Sequence, residues 1–190
     1  MFSNNVCFIL QNYIIFTLNK KINFMYRKVE DFLTDWKYES EQTLGYFRNI
    51  PDNILANKDN ENVRTIARLS WHITITLSEM LNKTGLEIDG PDDHAAPPST
   101  MKEIIETYEK LSSEILKQVE GNWVDASLTE KIEMYGELWT KGNTLAILIR
   151  HQAHHRGQLS ILMRQNGCKV PGVYGPSKEE WATYHMPAME

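Results

Sequence analysis

The stretch "NTLAILIRHQAHHRGQLSILMRQ", residues 143–165, holds three of the chain's six histidines within five positions. An α-helix advances 100° per residue, so Thr144, Leu148, His151, His155, Leu159 and Leu162 fall within roughly 80° of arc. His151 and His155, four residues apart, lie one above the other on that face. His154 turns away from the pair, and Gln158 falls in angle between the two. A helix burying this stripe carries two imidazoles toward the interior of a helical domain. Without partners, each buried imidazole costs about 1–3 kcal/mol, and one shared cation removes that cost. An H-x-x-x-H pair alone is weak evidence, so the rest of the chain decides.

Three more helices are legible outward from this stretch. Val29, Phe32, Leu33, Trp36, Leu44 and Phe47 keep a rough three-to-four spacing over about Tyr26 to Arg48, until Pro51 stops it. Ile66, Leu69, Ile73, Leu77 and Met80 make a cleaner stripe over Val63 to Lys83, with Gly85 suited to a left-handed cap. After the loop-forming "GPDDHAAPPS", a third helix starts at Ser99 and ends at Gly121, carrying Ile104, Tyr108, Leu111 and Ile115. Residues 122–141 mix β-formers with turn residues and stay ambiguous. The tail holds one short helix, with Ser177 and Glu180 spaced as a capping box. Four long helices with few strands predict an all-α four-helix bundle with a short C-terminal helix.

The net charge of −5 and the absence of any long Lys/Arg run argue against a nucleic-acid binder. Two cysteines, Cys7 and Cys168, are too few for a disulfide framework and fit a reducing, cytoplasmic setting. Residues 1–24 differ from the rest: rich in Asn, Ile, Phe and Lys, without an acidic residue. Their apolar run, Val6 to Leu18, falls short of the roughly 20 residues a membrane span needs, and it lacks a signal peptide's flanks. That composition fits translated upstream sequence, with Met25 as the expected true start and 25–190 as one domain.

A catalytic zinc site takes three protein ligands and keeps one position open. For the third ligand the chain offers His72, His94 and His185. His94 sits in a Pro-rich loop and His185 near the terminus, poor places for a rigid ligand. His72 borders the apolar stripe of the second helix. Ferritin-like di-iron sites need Glu-x-x-His motifs, and no Glu stands three residues before any histidine here.

"LSWHITIT" at residues 69–76 and "HQAHHRGQLSILMRQNGCKVPGVYGPS" at 151–177 resemble the DinB-like, or YfiT-like, superfamily of metal-binding four-helix bundles. The likeness spans most of Met25 to His185. It implies His72, His151 and His155 as ligands of a divalent ion, with zinc, nickel or iron as candidates. It also implies a homodimer and a kinship in architecture with S-transferases that use low-molecular-weight thiols. Three functions follow as expectations. One is a thiol S-transferase in which an open metal position favours the thiolate of a small-molecule thiol. Another is a hydrolase working through metal-bound water, for which Glu79 is the nearest carboxylate by angle, though two turns away. The last is a bundle whose metal is not catalytic. Nothing in the sequence suggests a nucleic-acid or membrane partner.

Overall fold

In a computed structural model that describes residues 26–188, four long helices occupy the predicted segments. They are α1 (Val29–Phe47), α2 (Ile66–Asn82), α3 (Met101–Asn122) and α4 (Lys141–Gln165). Residues 1–24, on which the expectation of a mis-assigned start falls, lie outside the described residues. Hydroxyl caps set three of the four helix starts. The Thr65 Oγ1 accepts the Arg68 N–H at 3.1 Å, and the Thr140 Oγ1 accepts that of Asn143 at 3.1 Å. The third helix is capped by Thr100 rather than Ser99: Thr100 Oγ1 accepts the Glu103 N–H at 3.3 Å and donates to its carboxylate at 2.8 Å. At the far ends, Gly85 (φ 89°) supplies the left-handed residue expected of it, and Gly167 (φ 74°) does the same after α4.

Around the bundle, α1 packs on α3 and α4, and α2 packs on the same two helices. Consecutive helices α1 and α2 are therefore diagonal, and so are α3 and α4. Phe32, Trp36, Phe47, Tyr108, Leu111 and Ile115 are fully buried along the α1–α3 seam. The Trp36 Nε1 donates to the Ser112 carbonyl at 3.3 Å, which satisfies the one polar atom of that side chain. The α2–α4 seam is the one that matters for function, since it carries His72 on one side and His151 and His155 on the other.

Two segments depart from the sequence reading. The ambiguous stretch contains an antiparallel hairpin, β1 (Lys131–Met134) and β2 (Glu137–Thr140), closed by Tyr135 and Gly136 with φ of 53° and 82°. Two positive φ angles in a two-residue loop match the twist of a type I′ turn. The hairpin runs directly into the Thr140 cap of α4 and is tied to α2 by the Tyr135 hydroxyl, which donates to Glu79 at 2.7 Å. The expected C-terminal α-helix is instead a 3-10 turn, Trp181–Tyr184. Glu180 accepts the Ser177 N–H at 2.9 Å as a capping box requires, but it also accepts the Gly172 N–H at 3.0 Å. The Ser177 hydroxyl stays unpaired. Glu180 thus staples the loop together and does not start a helix.

Candidate metal centre

Helix α4 projects His151 and His155 from adjacent turns, and α2 brings His72 against them from the facing helix. The His155 Nε2 lies 3.1 Å from the His72 Nε2 and 3.0 Å from the His151 Nε2. One nitrogen from each of the three rings falls within 4.8 Å of the others. His155 is buried and the other two rings are half-buried. His94 and His185 are exposed and far down other segments, and His154 is exposed beside the pair.

Gln158 fixes the protonation of the central ring. Its Oε1 lies 2.8 Å from the His155 Nδ1, and its Nε2 is 3.0 Å from the His154 Nε2. An amide oxygen only accepts, so the His155 proton sits on Nδ1 and its Nε2 presents a lone pair to the cluster. Two further ring nitrogens then converge on that single lone pair. The His151 Nδ1, buried on the other side of its ring, has no partner at all. Nitrogen, with one hydrogen at most, cannot satisfy this arrangement from within. A cation answers the three converging Nε2 atoms by taking their lone pairs; the His151 Nδ1 proton takes no part in that. Three nitrogens at about 2.0–2.1 Å from one tetrahedral ion are about 3.3 Å apart, close to the two spacings observed. The residues present therefore fit a divalent metal.

Burial, reinforced by the neighbouring imidazoles, pushes His72 down to about 4 and His151 to about 3 from the usual 6.5. Burial also lowers His155, against the opposing pull of its Gln158 hydrogen bond. All three rings are neutral at physiological pH, which is the form that ligates metal.

Beside the cluster opens a cavity of about 690 Å³, with His155, Gln158, Leu69, Ile161, Arg64 and Asp59 in its wall. Its size suits a small molecule. Asp59 lies in the α1–α2 connection, which has no periodic signal, and Arg64 lies just before a helix expected to start at Val63 but capped at Thr65, so neither residue's part in the site was legible in sequence. Glu79, the carboxylate considered for base catalysis, is engaged elsewhere: it accepts from Tyr135 and pairs with Lys83 at 3.2 Å. Cys168 is half-buried, and burial pushes its thiol up, the opposite of an activated nucleophile. Tyr174 packs on the α1–α4 side, where its hydroxyl donates to Glu39 and accepts from Arg156.

Known proteins carry the same arrangement of helices. A DinB-like protein from Bacillus cereus ATCC 10987 superposes with a TM-score of 0.75 at 35% identity, over 79% of this chain and all of its own. A second DinB-like protein, YjoA from Bacillus subtilis, shares the fold at 15% identity and a TM-score of 0.60, over 75% of this chain and 97% of its own. The uncharacterized protein YrdA of Bacillus subtilis (strain 168) is 32% identical over 164 residues, 86% of this chain and 98% of that protein. The DinB family model matches residues 25–189, a span that contains all four helices and all three clustered histidines. The chain belongs to the DinB family.

Proposed function

We propose that the protein is a metal-dependent transferase for a low-molecular-weight thiol, with His72, His151 and His155 holding a zinc, nickel or iron(II) ion. The observation that carries this reading is the convergence of three neutral imidazole nitrogens, with no fourth His, Cys, Asp or Glu ligand among the described residues, one of whose rings, His155, lines a small-molecule cavity. A closed structural site calls for four protein ligands; three leave a place for a guest. A divalent ion there supplies a Lewis-acidic position that favours the thiolate form of a thiol at neutral pH.

The chain's own residues do the rest. Gln158 holds the His155 proton on Nδ1, so that the ring faces the cluster with a lone pair. The hairpin fixes the entry of α4 and thus the height of His151 and His155 against His72. Leu69, Ile161 and Leu162 line the cavity with apolar surface for a co-substrate to pack against. Hydrolysis is the weaker reading, because Glu79 is tied to Tyr135 and Lys83 and cannot serve as its base. No helix among the described residues is long and apolar enough to cross a membrane; the scarcity of cysteines supports a reducing setting such as the cytoplasm, and the family resemblance supports a homodimer.

The test is a conjugation assay on metal-replete protein, with a panel of biological thiols and a chromogenic electrophile. Thiol consumption that stops on chelation and returns with metal is the expected result. Ester or amide hydrolysis without thiol conjugation overturns the transferase reading in favour of hydrolysis.

A further inference from the structure

The wall of the cavity holds a cation whose position folding does not explain. Arg64 immediately precedes Thr65, the cap of α2, and α2 has no acidic residue in its first turn. The positive end of a helix dipole disfavours a cation there by about 0.3–1 kcal/mol. Four other arginines of the bundle are engaged: Arg48 with Glu41 and Glu109, Arg68 with the Ala95 carbonyl, Arg156 with Glu39, Arg164 with Glu179. Arg64 is exposed, and no hydrogen bond or ion pair holds it among the described residues. Asp59 lines the same cavity but makes no ion pair with it and accepts instead from the Asn60 amide at 3.1 Å. Arg64 and His155 both line this cavity.

We propose that the small molecule taken into this cavity carries a carboxylate, and that Arg64 receives it while the remainder of the ligand lies toward the three histidines. A guanidinium presents a planar fork that binds a carboxylate through two hydrogen bonds, so it fixes orientation as well as charge. The apolar wall formed by Val63, Leu69 and Ile161 lies along the same cavity and fits a short hydrocarbon spacer between the two ends. Asp59 acts with the opposite sign, rejecting ligands with excess negative charge. The inference rests on the cavity being the substrate site of the proposed metal enzyme, and it makes Arg64 a specificity residue.

Calorimetric titration of the cobalt(II)-loaded protein tests it with two matched pairs of probes. One pair contains a thiol, 3-mercaptopropionate against 2-mercaptoethanol. The other does not, 4-phenylbutyrate against 4-phenylbutanol. The anionic member of each pair is expected to bind roughly tenfold tighter, as for a charge-assisted hydrogen bond. In Arg64→Gln, with cobalt content and melting temperature unchanged, that advantage falls below about threefold, while Asp59→Asn enlarges it. If neither thiol binds but 4-phenylbutyrate keeps an Arg64-dependent advantage, the thiol reading fails and the role of Arg64 stands. An advantage that survives Arg64→Gln places the carboxylate elsewhere and overturns the proposal; so does the lack of any preference in both pairs.

Discussion

Helix α4 buries polar side chains on two of its faces, and the two groups are finished in opposite ways. On the side facing α1, Arg156 is 2% exposed and pairs with Glu39. It also donates to the Glu39 carbonyl and the Thr43 hydroxyl at 3.0 Å each. One turn earlier, Gln152 accepts from the Tyr108 hydroxyl at 3.1 Å and donates to the Ile73 carbonyl at 3.1 Å. With Thr43 also donating to Gln152 at 3.4 Å, this network ties together all four helices. Its charges and hydrogen bonds are answered from within the chain. On the side facing α2, three imidazoles crowd their Nε2 atoms together, that of His155 lying 3.1 Å from His72 and 3.0 Å from His151. Buried polar groups that are fully answered specify a fold; buried polar groups left facing one another are waiting for something from outside. The two clusters differ in what they are for, though they share a helix.

Mutation separates them. Arg156→Met strands the Glu39 carboxylate in the interior, and the metal-free protein loses about 3–5 kcal/mol in denaturant unfolding. A loss below about 1 kcal/mol in that experiment removes the structural role given to the pair. Gln158→Leu works on the other face. The side chain is exposed, so melting of the metal-free protein barely changes. Metal affinity drops about 10–100-fold, as expected when the group orienting a ligand ring is lost, and competition with a chromophoric chelator measures it. Equal affinity in the two proteins means that Gln158 does not set the His155 tautomer.

A third experiment sharpens the contrast through pH. His72 and His151 titrate at about 4 and about 3 in the folded chain but near 6.5 when unfolded. As pH falls through 6.5, the unfolded state takes up protons that the folded state refuses, so stability present above pH 6.5 is lost progressively toward pH 4. Glu179, held down to about 2 by Arg164, adds to acid lability only below about 4.5. Between pH 6.5 and 4.5, melting of the chelated protein therefore declines, and His72→Ala with His151→Ala flattens the decline. An unchanged slope in the double variant assigns the acid sensitivity to other groups.

Much of this was readable from the chain because it is periodic. Each helix shows its buried stripe at three- and four-residue steps, and His151 and His155 declare themselves by a spacing of four. His72 was the best-placed of three candidates by its helix face, and the structure brings it to the pair. The hairpin escaped notice because its turn is Tyr135–Gly136 and not the Asn-Gly or Asp-Gly pair that marks a type I′ loop most clearly. The Glu39–Arg156 pair escaped for a different reason. Its partners are 117 positions apart, and a lone Glu or Arg on a helix reads as a solvated residue until the facing helix is known. The cavity wall at Asp59 and Arg64 is loop, where position in sequence carries no sign of position in space.

The most direct test of the account is the metal content of the purified, metal-replete protein and of its His72→Ala, His151→Ala and His155→Ala variants, by elemental analysis after gel filtration. The account predicts about one divalent ion per chain in the native protein, bound by three imidazoles, and loss of most of it in each variant while the helical circular dichroism persists. Full metal occupancy in the His72→Ala protein contradicts it, because the ion would then be held without the helix that completes the site.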